Sequence, residues 1–293
     1  MRDQPADLPE PLPSPVPDSH CHLDAITPYC GLEPADALRR AASVNITRVV
    51  QVGCDVASSR WAVEAAQRWP QVVAAVAIHP NDAARLGAGL TAALADIEAL
   101  LEADAVAGTD RIRAVGETGL DYFRTTDQAD QAVQKDAFAA HIALAKRYGT
   151  TLIIHDRDAH RPILDVLDAE GAPERVVMHC FSGDADFARE CLDRGFFLSF
   201  PGPVTYKPND ALREACRITP DDRLLTETDA PYLTPVPLRG WPNAPYLVPH
   251  TVRFLAELRG AELAVLCASL DATTTAAFGA WEAAQGPSAR PPA

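Results

Sequence analysis

The sequence predicts an α/β protein folded as a (β/α)8 TIM barrel, on three observations. Eight short apolar runs alternate with helical stretches along most of the 293 residues. The runs are continuously apolar rather than alternating, as parallel strands covered on both faces are. Most of the runs also end in a histidine or a carboxylate.

In chain order, the first run ends at Asp18 within "VPDSHCHLD" (16–24), followed by "RVVQVG" (48–53) and "VVAAVAI" (72–78). Next come "IRAVGE" (112–117), "TLIIH" (151–155), "VVMH" (176–179), "FFLSF" (196–200) and "RLLTETD" (223–229). Between them, "RWAVEAAQRW" (60–69), "TAALADIEALLEA" (91–103), "KDAFAAHIALAKRYG" (135–149) and "ADFARECLDRG" (185–195) repeat apolar residues at three- and four-residue spacing, the period of a helix with one buried face. Gly149 and Gly195 stand where helix C-caps belong. A doubly wound open sheet is the alternative arrangement of the same pattern. Residues 1–15, rich in proline, predict a disordered leader, and 285–293 a disordered tail, leaving 16–284 as a single domain.

Composition narrows the function classes. There is no apolar run long enough to cross a membrane, and the start is acidic and proline-rich instead of basic then apolar. Seven scattered cysteines without a Cys-x-x-Cys pair read as reduced thiols, so a soluble cytoplasmic protein with no membrane contact and no obligate protein partner is expected. A net charge of −14 argues against holding nucleic acid on a broad basic surface. A phosphate-bearing partner must be held locally.

The ends of the runs carry the chemistry. On a strand the side-chain period is two, so His20 and His22 project to one face. His79 follows the third run, Glu117 ends the fourth, His155 the fifth, His179 the sixth and Asp229 the eighth. In a barrel these ends converge on one mouth, where active sites are built. Singly, each could be a core histidine, a helix cap or a turn aspartate. Together, four imidazoles and two carboxylates match one or two divalent cations, Zn²⁺ or Mn²⁺, with Mg²⁺ possible if water completes the shell. Such cations make the mouth positive within an acidic protein.

The stretches "DSHCHLD", "AIHP", "VGETGLDYFR", "IIHDRDA", "HCFSG" and "ETDAPYLTPVPLRGWPN" resemble, in order, the signatures of TatD-type metal-dependent deoxyribonucleases, a family of amidohydrolase-like barrels, from about residue 16 to 282. The resemblance implies a hydrolase that cleaves phosphodiester bonds of DNA, favouring single-stranded 3′ ends. It implies two divalent metal ions on His20, His22, Glu117, His155, His179 and Asp229. Glu117 would bridge them, and Asp229 would also take the proton of the attacking water. The chain departs from the family pattern at Ala77, Trp241, Ala244 and "ATTTAAFG", none of them a proposed ligand.

Three further residues are candidates for substrate contact: His79, facing the mouth; Arg157, able to clamp phosphate bidentately; and Trp241, in the loop after the last strand. Glu227, two residues before Asp229, is a candidate for orienting a ligand. Two other activities suit the same barrel: an amidohydrolase, or an esterase removing aminoacyl groups from transfer RNA. The first commonly bridges its metals with a carboxylated lysine at the fourth strand, and none of the three lysines (135, 146, 207) lies near a strand end. A purely structural metal site is disfavoured, because six ligands shared by two cations leave positions open.

Overall fold

The computed structural model describes residues 4–286. Its eight strands run parallel in the order of the sequence: β1 (Val16–Cys21), β2 (Ile46–Val52), β3 (Val72–Val76), β4 (Ile112–Asp121), β5 (Thr151–Arg157), β6 (Val176–Met178), β7 (Phe197–Phe200) and β8 (Leu224–Thr226). Helices follow the strands on the outside, the longest being Gln128–Tyr148 after β4. This is the expected (β/α)8 barrel. It closes where the chain beyond β8 meets β1, through Asp229 N–H to His20 O (3.0 Å) and His22 N–H to Ala230 O (2.9 Å).

Alternate residues of each strand enter two separate cores. Val50, Val52, Val73, Ala75, Ala114, Ile153, Val177, Phe197 and Leu225 fill the barrel, plugged at its floor by Phe278. Their neighbours Val49, Val72, Ala74, Val76, Leu152, Ile154, Val176 and Leu198 face the helices. Each buried aliphatic side chain contributes roughly 1.5–3 kcal/mol, and this double burial is why the runs lack polar alternation.

Several strands end differently from the apolar runs. β3, β6 and β8 stop at Val76, Met178 and Thr226, before the polar residues that leave the ladder to face the mouth. β4 and β5 instead continue to Asp121 and Arg157, past an irregularity between Val115 and Thr118. Gly119 permits this pairing: it has a φ of +134°, and a Cβ there would lie 2.2 Å from the carbonyl oxygen of His155. Gly149 does end the long helix in the left-handed conformation.

From Ala6 to Leu12 the leader is packed on the barrel, which corrects the expectation of disorder for that part of 1–15. Ala6 and Leu12 are buried, Leu12 pairs through its N–H with Val44 O (3.2 Å) and through its carbonyl with Asn45 Nδ2 (2.7 Å), and Tyr246 Oη donates to Ala6 O (2.9 Å). Proline forbids a helix here but leaves carbonyls able to accept, so the segment lies as an extended strap with two apolar anchors. Residues 1–3 lie outside the described residues, as does the predicted tail beyond Gly286. No single helix among the described residues is long and apolar enough to cross a membrane, and all seven cysteines are free.

Candidate metal centre

The junction of β1 and β8 is set by Asp18. Its carboxyl accepts from Thr228 N–H (2.8 Å), Thr228 Oγ1 (2.5 Å) and His20 N–H (3.3 Å), and burial lifts its pKa to about 7 against those bonds. Asp18 therefore stitches the two strands together. Asp229, one residue on, adopts a φ of +56°, in the left-handed region that aspartate and asparagine tolerate better than other non-glycine residues. That turn presents its carboxylate to the imidazoles of β1.

His20 Nε2 and His22 Nε2 lie 3.3 Å apart. Asp229 Oδ1 lies 3.9 Å from the first and 3.4 Å from the second; Glu117 Oε1 lies 4.0 and 3.7 Å from them. The edge of a tetrahedron with metal bonds of 2.0–2.1 Å is about 3.3 Å, so these separations suit ligands of a common cation. The other oxygen, Glu117 Oε2, faces a second pair: His179 Nε2 at 2.9 Å and His155 Nδ1 at 3.4 Å. Each oxygen of one carboxylate thus addresses two imidazoles.

The groups behind the imidazoles fix their orientation. His22 Nδ1 donates to Val52 O (3.0 Å) and His179 Nδ1 to Glu227 Oε1 (3.0 Å), directing both Nε2 atoms into the cluster. Burial opposes charge on Glu117, but the neighbouring His179 imidazole, with the other imidazoles of the cluster, holds it well below the usual carboxylate range. His179, between Glu227 and Glu117, is pushed up despite burial; His20, stacked on it at 3.6 Å, is pushed down by burial and by that neighbour. Buried His20 Nδ1, Glu117 Oε2 and His155 Nε2 make no hydrogen bond in good geometry. Among them Glu117 Oε2, an orphaned buried acceptor facing the nitrogens of His155 and His179, fits a divalent cation.

His79 belongs to the same mouth. One of its ring nitrogens, one of His155 and a Glu117 oxygen lie within 4.8 Å of one another. Its Nδ1, however, accepts the backbone N–H of Asn81 (3.1 Å), so in the neutral ring the proton sits on Nε2. Burial lowers its pKa to about 3, which keeps the ring neutral. Arg157 follows His155 at the end of β5. Trp241 is half-buried and packs against the outer core.

Three residues at or beside the mouth carried no role in the sequence reading. Asp121, four residues beyond Glu117, is 3.4 Å from His155 Nε2 and accepts from Asn81 Nδ2 (2.8 Å) and Arg124 N–H (2.8 Å). Its place in "GETGLD", on the same strand face as Glu117, was the available signal. Cys54, read only as one of seven reduced thiols, donates from Sγ to Glu117 Oε1 at 3.4 Å, with burial pushing its thiol up to about 12. His141 is buried beside the site: Nε2 accepts the N–H of Ile78 (3.1 Å) and Nδ1 donates to Ala137 O (2.7 Å). A cavity of about 420 Å³, lined by Arg113, Tyr148 and Arg175 among others, opens at the opposite end of the barrel.

Comparison with known proteins agrees with this geometry. Residues 17–279 match the family described as TatD related DNase. A metal-dependent hydrolase named TatD from Mycobacterium tuberculosis is 48% identical over 262 residues, covering 86% of this chain and 94% of that one. The metal-dependent hydrolase YabD of Bacillus subtilis is 38% identical, over 83% and 90% of the two chains. The crystal structure of YjjV, a TatD homologue of Escherichia coli, superposes with a TM-score of 0.81 at 27% identity, over 90% of this chain and 98% of that one. An organophosphorus hydrolase of Deinococcus radiodurans shares the barrel at a TM-score of 0.57 and 16% identity. A barrel of this order, with histidines and carboxylates gathered at its mouth, belongs to the TatD family of metal-dependent hydrolases.

Proposed function

We propose that this chain hydrolyses phosphodiester bonds of DNA in the cytoplasm, acting on single strands and removing nucleotides from 3′ ends. The observation that carries the reading is the split of Glu117, one oxygen toward His20 and His22 and the other toward His155 and His179. That arrangement suits a carboxylate bridging two divalent ions, Mg²⁺, Mn²⁺ or Zn²⁺, with Asp229 as a further ligand. Divalent ions held by these residues would supply Lewis acidity for activating water and for neutralising charge on phosphate oxygens.

The chain's own residues do the rest. Asp229 Oδ1, 3.4 Å from His22 Nε2, is placed to accept the proton of the attacking water. His79, with Nδ1 engaged by Asn81, offers Nε2–H as a neutral donor to a phosphoryl oxygen. Arg157 supplies a guanidinium for the adjacent phosphate, and Trp241 an indole in the loop after β8. Glu227 keeps His179 in the tautomer whose Nε2 faces the cluster.

The test is a substrate panel on the metal-loaded protein: single-stranded and duplex DNA, RNA, aminoacyl-tRNA, and a cyclic amide. Faster turnover of single-stranded DNA than of the other substrates supports the reading. Preferred hydrolysis of aminoacyl-tRNA or of the amide replaces it with the esterase or amidohydrolase alternative.

A further inference from the structure

Phe123, in the turn after β4, is 58% exposed, an unusual position for phenylalanine. The guanidinium of Arg157 lies over its ring, 4.0 Å from the centroid. Phe123 stands two residues from Asp121, which touches His155, and Arg157 two residues beyond His155 itself. A second pair has the same form: Arg239, exposed in the loop after β8, lies 4.5 Å from the ring centroid of Tyr206, whose hydroxyl is tied to Thr234 O (2.9 Å). The strand order puts the loops after β4 and β8 on opposite sides of the ring. The two stacks therefore flank the cluster.

Place and charge together mark these pairs. Most other arginines find carboxylates, as in Arg48–Asp271 (2.7 Å) and Arg194–Asp168 (3.0 Å), while Arg40 and Arg68 also rest on rings, those of Tyr246 and Trp69. In a chain of net charge −14 acidic partners are in surplus, yet Arg157 and Arg239 form no ion pair among the described residues and rest on aromatic rings. A guanidinium held on a ring keeps its N–H edge for phosphate and leaves a planar surface for a base.

We infer that Phe123 with Arg157, and Tyr206 with Arg239, are nucleotide-binding platforms on either side of the scissile phosphate, each stacking a base and pairing with its neighbouring phosphate. The inference rests on the phosphodiesterase reading and names the side chains that would select a single strand. Unpaired bases expose the faces that stacking needs, whereas a duplex hides them.

The experiment compares kcat/KM for a short oligothymidylate with that for methyl p-nitrophenyl phosphate, a diester without a base, in wild type, Phe123→Ala and Phe123→Trp. Loss of one stacked base should lower the oligonucleotide-to-diester ratio roughly 5- to 150-fold in Phe123→Ala, and Phe123→Trp should restore it. A ratio unmoved in Phe123→Ala, or a fall that tryptophan does not rescue, overturns the platform. If wild type hydrolyses neither substrate, the phosphodiesterase reading has failed, and fluorescence anisotropy of labelled oligothymidylate then judges the platform separately. Weaker binding by Phe123→Ala than by wild type supports it; equal binding, or none by wild type, overturns it.

Discussion

Glu227 holds the imidazole of His179 in one tautomer: Oε1 accepts from His179 Nδ1 at 3.0 Å and from Cys180 N–H at 2.8 Å. A fully buried carboxylate whose bonds end on a ligand's rear nitrogen orients that ligand and raises its basicity. Glu227→Gln should weaken divalent metal affinity about 10- to 100-fold, read by competition against a chromogenic chelator. Unchanged affinity would show that His179 is oriented without Glu227.

His79 separates a hydrogen-bond donor from a ligand. Because its Nδ1 is occupied by Asn81 N–H, His79→Ala should keep its metal content while turnover falls about 10²-fold, the cost of removing one preorganised donor. Mass spectrometric metal analysis beside a rate measurement decides: loss of metal in step with rate would make His79 a ligand.

Asp229→Asn divides the two roles proposed for that residue. Asparagine tolerates the φ of +56° and keeps an oxygen donor, but it cannot take a proton. Metal occupancy should fall modestly while turnover drops roughly 10²-fold or more. A proportional fall in both would leave Asp229 as a ligand alone. His22→Ala, by contrast, should lose metal and activity together.

Stability should depend on pH through His141. Burial lowers its pKa to about 4 from an ordinary 6.5, and the Ile78 N–H directed at Nε2 excludes a proton there. The unfolded chain takes up a proton below pH 6.5 that the folded chain refuses until about 4. The contribution is therefore fully present above pH 6.5 and lost as pH falls toward 4. Between pH 7.5 and 5 the loss is about 2 kcal/mol. Urea titrations should show His141→Gln, destabilised at pH 7.5, losing less further stability than wild type as pH is lowered; parallel losses would refute the assignment.

The fold was legible because strands buried on both faces leave a continuous apolar run, and the ligand-type residues because they interrupt such runs at one end only. The leader was not: its prolines signal the absence of a helix, whereas the two apolar anchors, Ala6 and Leu12, matter only once Val44, Asn45 and Tyr246 are brought beside them. Asp121 escaped notice because the register irregularity of β4 carries the strand past Glu117. His141 lies within a helix, so its acceptance of Ile78 N–H depends on packing between elements. Cys54 lies just beyond β2, which ends in none of the candidate residues, and only the closed ring brings its sulfur to Glu117.

The most direct test is hydrolysis of a single-stranded oligonucleotide by protein of measured metal content, before chelation, after it, and after restoration with Mg²⁺, Mn²⁺ or Zn²⁺. Activity should vanish with the metal, return on restoration in wild type, and fail to return in His22→Ala, whose Nε2 faces Glu117, Asp229 and His20 within 4.0 Å. Full cleavage by protein shown to be free of metal, or full restoration in His22→Ala, would contradict a metal-dependent phosphodiesterase centred on this cluster.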